Sequence, residues 1–456
     1  MRKNSVLIQN VKAVTPNGII ETDILIDSGK ICRIEKGISA EGCDCFDASG
    51  LIALPGAIDS HVHFQIPTPD GGFNADDFAA GSMAAVCGGI TTYVDFASPM
   101  PDKGWADGVH ARKAQADGNT YGDYALHMEV TGAFYQDIEK LEDIAAQGIK
   151  VLKIYTTYGA DKFPKEDMER LFANAAKNDL AILAHCEDDD MIARIKEDFI
   201  AEGSVGAERH AESRPAKAEA NAVRELVQIA EKTGVQLIIA HVSSGEAADI
   251  IAEARRRGVK VYAETCPHYL LLTDSCYQGS EPQKYIMTPP LRKSEDCAKL
   301  WEHVINGDIG MISTDHCPYT HEQKMKADSC FDVLPGVGGC ESMPTLMFSE
   351  GYQKGRLTIE QLAERISTEA AKLYGLYPQK GAIAVGSDGD ILIMDPNAPG
   401  NITAAEEHSN AGYTIFEGYP VGCKVRRVYR GGELMAENGK LLGKTEGKYL
   451  RSAQQS

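Results

Sequence analysis

Two histidines one residue apart, His61 and His63, follow the apolar run of residues 51–58. Such a run reads as a strand buried on both faces, as in a parallel sheet. Alternate residues of a strand point the same way, so the two imidazoles are expected to project together. Converging imidazoles on a rigid strand end suit a divalent metal ion. A bare His-x-His also occurs in ordinary turns, so the reading depends on further ligands.

Those ligands have candidates where other apolar runs end. Lys153 lies inside Val151-Leu-Lys-Ile-Tyr155, and His185, His241 and Asp315 close three later runs. Singly, each histidine reads as a hydrogen-bonded core residue; together they form a ligand set. Lysine is rarely buried unless paired, and an ammonium beside a cation is repelled. A neutral amine can instead add carbon dioxide, giving a carbamate whose two anionic oxygens can bridge two metals. The expected site is binuclear, with ions about 3.5–4 Å apart sharing a hydroxide. One ion is assigned to His61, His63, Lys153 and Asp315, the other to Lys153, His185 and His241.

Positioning these residues requires a scaffold that gathers strand ends. Buried strands are expected at residues 53–64, 91–96, 124–130, 151–155, 181–186, 237–242, 261–266 and 311–315. Helical patterns intervene, for example at 165–178, 216–233 and 246–258. Eight strands alternating with helices predict an α/β chain folded as a (β/α)8 TIM barrel, whose C-terminal strand ends carry the site. The first fifty residues alternate apolar and polar, and the same texture returns after residue 381. Asp23-Ile-Leu-Ile and Asp390-Ile-Leu-Ile look alike, so both ends are expected to meet in one small β-sandwich. The division is 1–52 and 382–456 for the sandwich, 53–381 for the barrel, with the last few residues disordered.

The chain's 456 residues suffice for this plan. Its 66 acids against 46 bases give a net charge of −20, without the positive footprint that nucleic acid requires. No run reaches the roughly 18 apolar residues of a membrane span, and the N-terminal apolar stretch is too short for a signal peptide. Twelve cysteines without a Cys-x-x-Cys pair read as reduced thiols in a cytoplasm.

Over almost its whole length the chain resembles the cyclic amidohydrolases of the amidohydrolase superfamily, nearest to the dihydropyrimidinase and hydantoinase branch. The resemblance rests on Pro55-Gly-Ala-Ile-Asp-Ser-His61-Val-His63, Leu152-Lys153-Ile-Tyr-Thr-Thr-Tyr158, His185-Cys-Glu187, His210-Ala-Glu-Ser-Arg-Pro215, His241-Val-Ser-Ser244, Glu264-Thr-Cys-Pro-His268, Pro289-Pro-Leu-Arg292 and Ser313-Thr-Asp315-His-Cys-Pro. It implies a carboxylated Lys153 (N6-carboxylysine), two divalent ions, usually zinc, a small cyclic ureide or imide as substrate, and a homotetramer. The hydroxide would attack the ring carbonyl, with Asp315 shuttling its proton to the departing nitrogen. By the same resemblance Tyr158 donates to the oxyanion, while Thr288 and the backbone of Gly336 bind substrate. His268 and His316 are read as partners behind the ligands, and His210, Ser213 and Arg214 as structural. Phe64, Ile66 and Phe96 are candidates to line a partly apolar pocket.

Two departures bear on substrate. Gln65 stands where the dihydroorotase pattern has arginine, which disfavours an acidic substrate. Leu334-Pro-Gly-Val-Gly-Gly-Cys-Glu341 lacks the Pro-Asn-Gly of hydantoinases and is closer to the glycine-rich loop of allantoinase, the alternative enzyme. The non-enzyme alternative is an inactive scaffold homologue, in which ligands should be missing.

Overall fold

The computed structural model describes residues 5–100, 103–132 and 135–452. Eight parallel strands form one sheet in chain order: Ala57–Asp59, Ile90–Ala97, Asp123–Glu129, Val151–Tyr155, Ala181–His185, Leu237–Ile239, Val261–Thr265 and Met311–Ile312. A parallel bridge between Val62 and His316, and a 3.0 Å bond from Thr314 N to Asp59, bring the two edges together into a nearly closed barrel. Ile58, Val94, Ala125, Val151, Leu183, Ile238 and Met311 fill one shared core. Period-two alternation explains this, since alternate residues of every strand face the barrel interior.

The helices behave as their periodicity predicts. Ala216–Thr233 buries Ala222, Val223, Leu226, Val227 and Ala230, one stripe at three- and four-residue spacing. Each large apolar side chain of such a stripe contributes about 1.5–3 kcal/mol on burial.

The run at 53–64 is not one strand. Ile52–Pro55 pairs with Ile391–Asp395 in a second sheet, and only Ala57–Asp59 enters the barrel. Gly56 makes the break: a Cβ there would lie 2.2 Å from Oγ1 of Thr91, so only glycine lets the chain change sheets at this point. His61 and His63 therefore lie just beyond their strand, held extended by Val62 N to Val94 O at 3.1 Å and His63 N to His316 O at 2.8 Å.

The sixth and eighth strands also stop early, at Ile239 and Ile312. Beyond them His241 and Asp315 adopt φ of 35° and 50°. Left-handed backbone ends a ladder and re-aims the side chain, at a cost of about 1–3 kcal/mol per residue.

The second sheet has nine strands and joins both ends of the chain. Ser5–Thr15 and Gly18–Asp27 come from one end, Ile391–Asp395 and Lys424–Arg430 from the other. Ile24, Ile26, Ile391 and Ile393, from the two look-alike segments, share one core. All 12 cysteines are free. No helix among the described residues is long and apolar enough to cross a membrane. The expectation for the last few residues falls largely outside those described.

Candidate metal centre at the barrel mouth

The C-terminal strand ends surround a cavity of about 620 Å³, lined by His61, His63, Lys153, His185, His241 and Asp315 and by Tyr158, Thr288 and Gly336. Every ligand candidate from the sequence therefore faces one space. Oδ1 of Asp315 lies 3.3 Å from Nε2 of His61 and 3.1 Å from Nε2 of His63. Nζ of Lys153 is 3.3 Å from Nε2 of His61. Nδ1 of His185 and Nε2 of His241 face each other at 3.1 Å.

The electrostatics of this cluster suit positive charge bound between its side chains. Burial, with the nearby Lys153 charge, holds His61 well below its ordinary pKa, and burial does the same to His241. Burial also pushes the Lys153 amine down, against the nearby Asp315 and Glu264. Among the described residues no carboxylate lies within ion-pair distance of Lys153, although the side chain is 1% exposed. The His241 ring is unsatisfied in either tautomer. If Nε2 donates to His185, the buried Nδ1 finds no partner; if Nδ1 carries the proton, two lone pairs face each other. A cation between the rings would take up the two facing lone pairs, with the Nδ1 proton of His241 still without a partner among the described residues. Burial raises the Asp315 carboxyl, but the hydrogen bond from His63, with smaller contributions from the nearby imidazoles and Lys153, holds it well below the usual range. The donor set fits a pair of divalent ions: His61, His63 and Asp315 on one side, His185 and His241 on the other, with Lys153 between them.

Behind the ligands stand three residues to which the sequence reading gave no such role. Glu264 accepts from Nδ1 of His61, which turns Nε2 of that ring toward Asp315 and Lys153. Glu187 takes Nε2 of His185 at 2.7 Å, leaving Nδ1 for the cavity. Arg214, expected to be structural, donates from Nε to Glu187 at 3.0 Å. Such outer partners fix ring orientation and tautomer. Glu264 and Glu187 are wholly buried acids, the same signal that singled out Lys153.

The His316 ring bonds Asp76 at 2.9 Å and accepts from Gly339 N at 3.1 Å, with no side-chain bond to a candidate ligand among the described residues. His268 is buried, and its Nε2 has no partner among the described residues. His210 bonds the carbonyl of Met287 at 2.7 Å, and Ser213 bonds the carbonyl of His210 at 2.9 Å. Ile66 lines the cavity, whereas Phe96 stacks on His63 at 4.5 Å and Phe64 packs in the core.

The Glu187–Arg214 pair gives a stability prediction. Burial raises the Glu187 carboxyl, but the Arg214 charge and the His185 hydrogen bond outweigh it and hold the group well below its usual range. The pair's contribution is therefore complete above the ordinary glutamate pKa and is lost as pH falls through the depressed folded value. Arg214→Met strands a buried carboxylate and is expected to cost about 3–5 kcal/mol in denaturant unfolding at neutral pH. A loss below about 1 kcal/mol would place the pair with solvent-screened bridges.

Comparison with known proteins bears on this geometry. The model of the amidohydrolase family matches residues 52–435. The chain is 34% identical over 457 residues to a D-hydantoinase of Geobacillus stearothermophilus, covering 98% of this chain and 96% of that one. It is equally similar, 34% over 456 residues and 98% of each chain, to a D-phenylhydantoinase of Escherichia coli. The crystal structure of a dihydropyrimidinase from Brevibacillus agri superposes with a TM-score of 0.95 at 32% identity, over 98% of this chain and 99% of that one.

Proposed function

The chain belongs to the amidohydrolase family, and from that premise we propose that the residues at its barrel mouth open a cyclic ureide or imide by hydrolysis. It is a cyclic amidohydrolase of the hydantoinase and dihydropyrimidinase kind. One observation supports the assignment of residues above all others. The ligand atoms of His61, His63 and Asp315 lie within 4.8 Å of one another, beside a buried lysine with no carboxylate at ion-pair distance among the described residues.

Our reading makes Lys153 an N6-carboxylysine, shared by two ions held by His61, His63 and Asp315 and by His185 and His241. A set of imidazoles and anionic oxygens suits zinc. When bound, such a pair supplies Lewis acidity toward the ring carbonyl and lowers the pKa of water.

The protein's own groups do the rest. Asp315, whose Oδ1 faces both His61 and His63 in the cavity, is read as the group that takes the proton of the attacking water and returns it to the ring nitrogen as the C–N bond breaks. Tyr158 supplies a hydroxyl that burial keeps protonated at neutral pH, hence a donor for the carbonyl oxygen as it gains charge. Its hydroxyl now lies 2.6 Å from Oγ1 of Thr288, so oxyanion donor and substrate contact are adjacent. Thr288 and the main chain of Gly336 orient the ring amide. Tyr158→Phe is expected to lower kcat by about 10²–10³-fold with metal content unchanged. Full turnover in that variant would remove Tyr158 from this role.

With the boundary moved from 53 to the break at Gly56, we read residues 57–381 as the catalytic barrel and 1–55 with 382–456 as a β-sandwich unit, in a cytoplasmic homotetramer. An inactive scaffold is expected to have lost ligands, and all six are present. The allantoinase alternative finds no support in the relatives named above. The test is a panel of 5,6-dihydrouracil, hydantoins with small and aromatic substituents, allantoin, dihydroorotate and simple cyclic imides. Hydantoins or dihydrouracil should be opened; opening of allantoin alone would overturn the choice of branch while leaving the mechanism intact, and opening of none of these rings would contradict the proposal.

A further inference from the structure

Lys324 is a second wholly buried lysine, at 0% exposure, and the mechanism above makes no use of it. It sits on the short helix His321–Met325, which a capping box between Thr320 and Gln323 holds at its start. Its Nζ reaches three backbone carbonyls: Ile286 at 2.6 Å, Leu334 at 2.9 Å and Gly336 at 3.1 Å. An ammonium has three N–H groups and no acceptor, so three carbonyls satisfy it completely. A neutral amine, with two N–H groups, would leave one carbonyl without its donor.

These carbonyls belong to two loops from different strands. Ile286 precedes Thr288, on the segment after the seventh barrel strand, and Leu334 and Gly336 lie on the segment after the eighth. Gly336 N also donates to the carbonyl of Ile286 at 3.0 Å. The second loop has little freedom, because Gly336 sits at φ 157° and a Cβ there would lie 2.4 Å from the carbonyl of Cys317. Both Thr288 and Gly336 line the cavity.

We propose that Lys324 is a positioning residue whose Nζ, bonded to three carbonyls, fixes the spacing of the two substrate-reading loops, and so sets affinity and ring-size preference rather than the chemistry. The inference rests on the cyclic-amide reading, because the loops' role comes from it. Lys324 Nζ bridges carbonyls of both segments and adds to the single backbone bond from Gly336 N to the Ile286 carbonyl. A five-membered ring and a six-membered ring present their amide edges at different widths, so loosening the spacing should blur the choice between them.

Lys324→Met keeps the length of the side chain and removes its donors. It should raise KM for the preferred ring about tenfold or more, with kcat within about threefold and metal content unchanged. The ratio of kcat/KM between hydantoin and 5,6-dihydrouracil should move toward one. Hydrogen exchange should quicken in peptides covering both 284–290 and 332–340, with no substrate present. Unchanged KM and ring ratio, or a fall in kcat alone, would overturn the proposal. Should Lys324→Met not fold, Lys324→Gln retains two N–H donors and should show an intermediate KM; a wild-type KM there overturns it equally. If the wild-type protein opens no cyclic ureide, the functional reading fails. The exchange measurement still decides Lys324: quickening in both loops supports the clip, and unchanged exchange refutes it.

Discussion

Asp315→Asn is expected to lower kcat by about 10³–10⁴-fold while leaving the fold intact. The loss has two parts. An amide cannot accept and return a proton at neutral pH, so transfer from water to ring nitrogen loses its shuttle. The same change weakens the ligand set, because Oδ1 faces both His61 and His63. The fold should survive, since Asp315 contacts the cavity rather than the core. Steady-state rates on the best ring substrate, beside metal analysis, separate the parts. An Asn variant with full metal and a rate within tenfold of wild type would exclude Asp315 as the proton carrier.

Lys153→Met should lose activity still more completely, by on the order of 10⁴-fold, because both ion sites lose their shared ligand. Stability should move the other way. In metal-free protein a buried amine without a carboxylate partner is unfavourable, and methionine fills a similar volume without a polar atom. Metal-free Lys153→Met is therefore expected to be more stable than metal-free wild type, by about 1–3 kcal/mol in denaturant unfolding. A function-limited lysine gives this opposition of activity and stability; a structural lysine would give the reverse sign.

Much of the site was legible because a barrel makes strand ends neighbours. Once eight buried runs are recognised, polar residues at the ends of five of them fall around one cavity without any knowledge of side-chain geometry. The break at Gly56 was not legible, because 51–58 is apolar throughout and both sheets accept apolar residues. What divides the run is contact with Thr91, 35 residues on, which no local pattern records. The early ends of the sixth and eighth strands were hidden for a related reason: the left-handed backbone at His241 and Asp315 closes runs that stay apolar up to that point, so the local pattern does not show where the ladder stops. Glu264 and Arg214 escaped notice because their partners are distant or depend on a third residue. Glu264 meets His61 across 203 positions, and Arg214 acts through Glu187. The clip at Lys324 was equally invisible, since its acceptors are backbone carbonyls and leave no mark in residue identity.

The central claim is that carbon dioxide converts the Lys153 amine into a carbamate shared by two cations. Anomalous diffraction from crystals of protein purified without chelators tests it directly. Two anomalous peaks between the histidine groups, with planar density extending Nζ of Lys153 toward both, are the expected result. A bare ammonium at Lys153 with no anomalous scatterer beside it would contradict the claim.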